Sequence, residues 1–276
     1  MANKINRQIR LAARPVDYPQ ESEFSLVESP IPEPGEGEVL VQAIWLSLDP
    51  YQRGRMRDAK SYAAPVELGQ VMVGGVVGRI IQSRTPAYKE GQIVEGSLGW
   101  QEYALCDGSN LREVDLDLGP LSTALGVLGM PGMTAYFGFL NISQPKPGDT
   151  VVVSAASGAV GQIVGQISKI AGCRTVGIAG SREKIDYIVN ELGFDAGINY
   201  KTDNLDTALG AACPLGVDVY FDNVGGPVSD AVFDHLNVRA RVSICGSISQ
   251  YNRFEPEPGP RNMGLLVRLQ ARAEGF

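Results

Sequence analysis

The sequence of 276 residues holds one histidine and four cysteines, and that scarcity removes several kinds of chemistry before any motif is read. A catalytic zinc usually takes three protein ligands, with histidine prominent among them. His235 stands alone in "SDAVFDHLN" and reads as a surface or helix-terminal side chain, so no metal site is expected. Cys106, Cys173, Cys213 and Cys245 lie far apart with no CxxC pair. Neither a disulfide framework nor a zinc ribbon is suggested, and a reduced cytoplasm fits. Basic runs are absent too, and 24 basic against 31 acidic side chains leave nucleic acid no electrostatic footprint to bind. No stretch approaches the roughly 18 uninterrupted apolar residues of a membrane span. The opening "MANKINRQIRLAARP" carries charges every few residues and lacks the apolar core of a signal peptide. A soluble, cytoplasmic protein with neither a membrane nor a nucleic-acid partner is therefore expected.

What is present is an ordinary globular composition, 44% hydrophobic, on a length that favours two domains over one. The first part reads as β structure: "EVLVQAIWLSL" (38–48), "QVMVGGVVGRIIQS" (70–83), "GQIVEG" (91–96) and "WQEYALC" (100–106), separated by Pro, Gly and charged turns. No helical period interrupts it. From about residue 122 the texture changes to strand and helix in alternation, which places a boundary between domains 1–122 and 123–276. Strands are expected at 151–154, 174–179, near "GINY", at 217–222 and at 240–245. Helices are expected at 159–171, 181–192, 203–212 and 227–237. Such alternation implies right-handed crossovers and a doubly wound parallel sheet, an α/β fold with its ligand site at the carboxyl ends of the strands. Residues 252–264 read as a loop that could cover a site.

One stretch carries the chemistry. "VVVSAASGAVGQIVGQISKIAG" runs from a buried strand through a small-residue turn into a helix with Val160, Ile163, Val164, Ile167 and Ile170 on one face. The turn is an AxxGxxG variant, Ala155, Gly158 and Gly161, of the fingerprint whose small residues let backbone approach a pyrophosphate at a helix N-terminus. A dinucleotide with a free ribose 2′-hydroxyl would want a carboxylate at the end of the second strand. "TVGIAGSREK" has none there: Ala179, Gly180 and Ser181 are followed by Arg182 and Lys184, donors suited to the extra 2′-phosphate of NADP.

These residues resemble the zinc-independent medium-chain dehydrogenase/reductases, in the branch of prostaglandin reductases, plant double-bond reductases and bacterial curcumin reductase. The likeness is collinear, through "LSLDPYQRGRM" (46–56), "GVLGMPGMTAYFGF" (126–139), "AASGAVGQIVGQ" (155–166), "GSREK" (180–184), "LGFDAGINYK" (192–201), "VYFDNVGG" (219–226) and "CGSISQYN" (245–252). It implies a GroES-like β domain followed by a Rossmann domain, with the site in the cleft between them. It also implies NADPH-dependent reduction of the carbon–carbon double bond of an α,β-unsaturated ketone or aldehyde, a small-molecule substrate. Carried over by position, the NADP(H) contacts fall on Ser157, Gly158, Ala159, Val160 and Gly161, on Lys184 and Tyr200 for the 2′-phosphate, and on Asn223. Thr134 and the run Cys245, Gly246, Ser247, Ile248, Ser249, Gln250 and Tyr251 complete the nicotinamide side. Tyr51 and Tyr251 resemble the tyrosines that line the substrate pocket and assist the proton step. Family members continue beyond "RAEGF" with the last Rossmann strand, a late Asn contact to the cofactor and the sheet edge through which many relatives form homodimers. A quinone reductase of the same superfamily and a catalytically silent NADPH-binding protein are the alternatives.

Overall fold

Alternating apolar residues build the first half of the chain and short, mostly apolar strands between helices build the second, and the computed structural model, which describes residues 5–255 and 257–276, shows two units divided after Gly129. In the first, β1 (Ile5–Leu11) and β2 (Phe24–Pro30) pair antiparallel. There follow β3 (Val39–Leu46), α1 (Tyr51–Arg55), β4 (Gly75–Ser83), β5 (Ile93–Ser97), β6 (Tyr103–Cys106) and β7 (Arg112–Glu113). The last five strands form one antiparallel sheet in the order β6-β3-β4-β5-β7. Val39, Val41, Val76, Ile80 and Val94 close its core, the inward set of a period-2 pattern.

Two features of this unit depart from the sequence reading. The pair β1–β2 was not foreseen, because Arg7, Gln8 and Arg10 hide its alternation. The helix α1 interrupts a stretch expected to be free of helix. Its five residues are too few to show a period, and it is held by polar anchors instead. Gln52, 3% exposed, donates to the carbonyls of Ser47 and Val73 and accepts the Asp49 N–H. Arg53, 7% exposed, donates to the carbonyls of Pro15 and Asp17. The expected boundary at 122/123 falls inside a short 3-10 turn, Leu121–Leu125.

The second unit, Met130–Phe276, begins with α2 (Met130–Phe137), which widens into a π turn over Gly138–Ser143. Then come β8 (Thr150–Ser154), α3 (Gly161–Ile170), β9 (Arg174–Ala179), α4 (Arg182–Asp186), β10 (Ala196–Asn199) and α5 (Leu205–Ala212). The chain continues through β11 (Val217–Asp222), α6 (Gly226–Phe233), β12 (Leu236–Ile244), α7 (Met263–Leu269) and β13 (Arg272–Gly275). All six strands are parallel, in the order β10-β9-β8-β11-β12-β13. That is the doubly wound arrangement, whose topological switch point lies between its first and fourth strands, here β8 and β11. Both faces are covered, as parallel sheets require. Val151, Val153, Val219 and Phe221 pack with Ala135, Phe139 and Val164 on one face. Val152, Tyr220 and Val242 pack with Leu209 and Val232 on the other.

Here too the structure corrects details. The expected helix 181–192 is α4 followed by a π turn, Tyr187–Glu191. α6 stops at Phe233, not 237, because Leu236 already pairs with Val217 before the register slips and Arg241 pairs with Val219. His235 lies in the turn between, its Nε2 2.9 Å from Asp206 Oδ1. The loop expected over 252–264 gives way to α7 at Met263, and Pro256 within it lies outside the described residues. A sixth strand, β13, is present that the sequence reading does not contain: Arg272–Gly275 pair with Arg241–Ile244. No helix among the described residues is long and apolar enough to cross a membrane.

The seam between α3 and the sheet is tight. A Cβ on Gly165 would lie 1.8 Å from Phe194 Cζ, and Phe194 is itself 3% exposed in the core. Gly165→Ala is therefore expected to destabilise this unit by about 1–3 kcal/mol, the usual range for overpacking. Thermal or urea unfolding followed by circular dichroism checks this; an unchanged midpoint would show that Phe194 can yield.

Candidate functional site

The carboxyl ends of β8, β9 and β11 gather most of the sequence-derived site residues. After Ser154 the backbone turns through Ala155 at φ +48°, a left-handed conformation that costs a residue with a Cβ about 1–2 kcal/mol. Ala156 N–H donates to the Ile178 carbonyl of β9, and Gly158 N–H closes the turn on the Ala155 carbonyl. A Cβ on Gly161 would lie 2.3 Å from that same carbonyl oxygen, so only glycine lets α3 start here. The N–H groups of Ser157, Ala159, Val160 and Gly161 have no acceptor among the described residues. They are open donors at the positive end of a helix of 10 residues, and Gly158 is exposed beside them. A pyrophosphate suits this cradle in charge, in donor set and in the room left by the missing side chains.

At the end of β9, Gly180 runs under the ring of Tyr200: a Cβ there would lie 2.8 Å from Tyr200 Cε1. Ser181 caps α4 by accepting the Lys184 N–H at 3.4 Å. The carboxyl of Glu183 is held below its usual range by its own backbone N–H and by the Ser181 hydroxyl. The two cations that follow are not equivalent. Arg182 Nε is bound to both carboxyl oxygens of Asp186, at 2.9 and 3.0 Å. Lys184 is exposed and enters no ion pair among the described residues.

The end of β11 is stitched to β8. Asn223 N–H donates to Ser154 Oγ at 2.9 Å, and Asn223 Nδ2 donates to the Ser154 carbonyl at 2.8 Å. The amide nitrogen being engaged, Asn223 presents its Oδ1 as a spare acceptor. The segment following β12 is hung on the residues following β11. Cys245 and Gly246 N–H donate to the Asp222 carbonyl, Ile248 N–H to that of Asn223, and Ser249 N–H to that of Val224. Tyr251 folds back over this loop, its hydroxyl accepting the Ser247 N–H at 3.3 Å. That oxygen would lie 2.7 Å from a Cβ on Gly246, so a larger residue there would push the phenol out of this contact.

Thr134 lies on α2, its hydroxyl directed at Met130 Sδ at 3.5 Å. Tyr51 opens α1 in the first unit, and burial, followed by the charge of Asp49, raises its phenol above the ordinary range. Sequence reasoning missed Ser154 and Asp222. Both are polar residues closing apolar strands, Ser154 fully buried and Asp222 5% exposed, and that position at a strand's carboxyl end is the signal that would have found them.

Comparison with known proteins agrees in both units. A family described as the N-terminal domain of oxidoreductases matches residues 7–114, and one described as zinc-binding dehydrogenase matches residues 159–268. Among the described residues no group of three or more His, Cys, Asp or Glu side chains could hold a metal ion. The NADPH-dependent curcumin reductase of Escherichia coli is 47% identical over 275 residues, 98% of this chain and 80% of that protein. The NADP(+)-dependent 2-alkenal reductase of Nicotiana tabacum is 42% identical over 285 residues, 100% of this chain and 82% of that protein. The crystal structure of CurA from Vibrio vulnificus in complex with NADPH superposes with a TM-score of 0.94 at 48% identity, covering 98% of this chain and 81% of that one.

Cys245 sits among these groups as an inert thiol. Burial, reinforced by the charge of Asp222, pushes its pKa up to about 11, so the reactive thiolate appears only as the pH nears that value. At pH 8 it should be alkylated by iodoacetamide about two orders of magnitude more slowly than a free thiol. Peptide mapping of the alkylated protein between pH 7 and 9 measures this, and a rate equal to that of free cysteine would contradict the assignment.

Proposed function

The chain belongs to the medium-chain dehydrogenase/reductases, in the branch of the curcumin, prostaglandin and alkenal reductases, and we propose on that premise how its residues carry out NADPH-dependent reduction of an α,β-unsaturated ketone or aldehyde. The observation that carries the cofactor choice is the end of β9. Ala179, Gly180 and Ser181 carry no carboxylate to hold a ribose 2′-hydroxyl, and Lys184, exposed and in no ion pair among the described residues, offers a cation to a 2′-phosphate. The open amides of Ser157, Ala159, Val160 and Gly161 would hold the pyrophosphate. Asn223, with its Oδ1 left as an acceptor, Thr134 and residues 245–251 would hold the nicotinamide side.

NADPH supplies the hydride that reaches the β-carbon of the substrate. What the chain must add is a donor for the negative charge that then develops on the carbonyl oxygen, a contribution worth about 3–4 kcal/mol per donor in comparable oxyanion sites. Tyr251 and Tyr51 are the donors in this reading. The Ser247 N–H received by the Tyr251 oxygen polarises that phenol towards giving up its own proton in a hydrogen bond. Tyr51 has a raised pKa, which keeps it a donor through the neutral range and past the ordinary tyrosine midpoint. Its donor function is fully present below that midpoint and is lost only as the pH climbs through its higher folded-state value. A small-molecule substrate and a cytoplasmic setting accompany this reading.

Lys184→Ala is expected to weaken NADPH binding about tenfold or more, the loss typical of a charge-assisted contact, while leaving NADH binding nearly unchanged. Quenching or enhancement of cofactor fluorescence measures both, and an equal loss for the two cofactors would remove Lys184 from the 2′-phosphate. Tyr251→Phe should lower kcat for an enone by about 100-fold or more at unchanged NADPH affinity. Parallel assays with an enone and a quinone decide the substrate class: a clear preference for the quinone would sink the enone assignment.

A further inference from the structure

We propose that Asp222 is a positioning residue of this site. Its side chain shapes the Asp222–Gly225 turn, and that turn carries the loop 245–251 on which the nicotinamide side is built. The inference rests on the dinucleotide reading given above.

Asp222 closes β11 almost out of contact with water, yet donors surround its carboxyl group. Oδ1 accepts the N–H of Val224 at 2.9 Å, the N–H of Gly225 at 3.0 Å, the hydroxyl of Tyr220 at 2.9 Å and that of Ser154 at 3.1 Å. Oδ2 accepts the hydroxyl of Ser229 from the first turns of α6. Tyr220 is fully buried, and burial together with the Asp222 charge holds its phenol well above the ordinary range, so it stays a donor. The two N–H bonds to Oδ1 wrap the backbone round the carboxyl and lead into Gly225 and Gly226, at φ +67° and +59°. Consecutive left-handed residues are a conformation that only glycine enters readily.

This wrapping turns the carbonyls of Asp222, Asn223 and Val224 towards the segment after β12. They take the N–H groups of Cys245, Gly246, Ile248 and Ser249, and the Val224 carbonyl also takes the Ser249 hydroxyl at 2.7 Å. Asp222 therefore acts at one remove: side chain to turn, turn to loop. A residue without acceptors at 222 would strand a cluster of buried donors, whose only relief is to reopen the turn. The end of β9, where Lys184 and Tyr200 lie, shares none of these bonds.

That separation supplies the test. Affinities for NADPH and for adenosine 2′,5′-bisphosphate, which lacks the nicotinamide half, are measured for the wild type, Asp222→Asn, Asp222→Ala and Ser229→Ala. The expected result is a fivefold or greater loss of NADPH affinity in Asp222→Ala and Ser229→Ala, with the bisphosphate within twofold of wild type. Asp222→Asn keeps an acceptor at Oδ1 and should restore most of the NADPH affinity. Parallel loss of both ligands, which a general folding defect would give, or loss of neither, overturns the proposal. Should Asp222→Ala fail to fold, Ser229→Ala decides. Amide hydrogen exchange of the ligand-free protein is the second readout: Ser229→Ala should speed exchange at 245–249 and leave β9 unchanged, and equal rates in that loop would refute the coupling. If the wild type binds no adenosine 2′,5′-bisphosphate, the NADP reading fails, and the exchange result still decides whether Asp222 holds the loop.

Discussion

A parallel sheet wound in both directions has one place where neighbouring strands send their crossovers to opposite sides, and the polar backbone bared by that parting must find partners within the chain. In this protein the place is the gap between β8 and β11. Ser154 and Asp222, the last residues of those strands, meet side chain to side chain, and Asn223 closes the gap against the Ser154 hydroxyl and carbonyl. Buried hydroxyls and a buried carboxyl group are costly unless fully bonded. Here they are bonded to one another and to the turn that follows. The loop after β12, the start of α6 and the orientation of the Asn223 amide all hang from this contact.

The same economy of space governs the glycines. Gly161 and Gly165 bring α3 so close to the Ala155–Ala156 turn and to Phe194 that a methyl group would overlap either neighbour. The helix N-terminus with its open amides is thereby drawn to the very end of the strand. Ala155 takes a left-handed conformation where the fingerprint has glycine, a strain of about 1–2 kcal/mol that the surrounding β8–β9 hydrogen bonds sustain. Electrostatics then separates two cations that sequence alone treats alike. Asp186, one helical turn on, engages Arg182, and the cation left to act on a ligand is Lys184.

Much of this was legible. The short, mostly apolar runs "RTVGIA" and "VDVYFD" predicted β9 and β11 to the residue, because a strand buried on both faces concentrates its apolar residues between turn-forming neighbours. Unread were elements whose stability comes from elsewhere in the chain. β1–β2 has charged residues along its length. α1 is shorter than one period of its own pattern and stands on Gln52 and Arg53. β13 consists of Arg272, Ala273, Glu274 and Gly275, and becomes a strand only because the edge of β12 is free to pair with it.

Of the site, the sequence by itself determined the parts that act through composition. A turn too small to hold side chains is visible as letters, as are a strand end lacking a carboxylate and a chain with one histidine. The tertiary structure alone decided which atoms those letters present. Asn223 offers an oxygen because its nitrogen is taken by a carbonyl 69 residues away in sequence, Arg182 is withdrawn by Asp186, and the 245–251 loop takes its shape from the carbonyls of residues 222–224. Hydrogen bonds between segments distant in sequence have no period and no local propensity, so they leave no pattern in the chain until the sheet has brought their partners together.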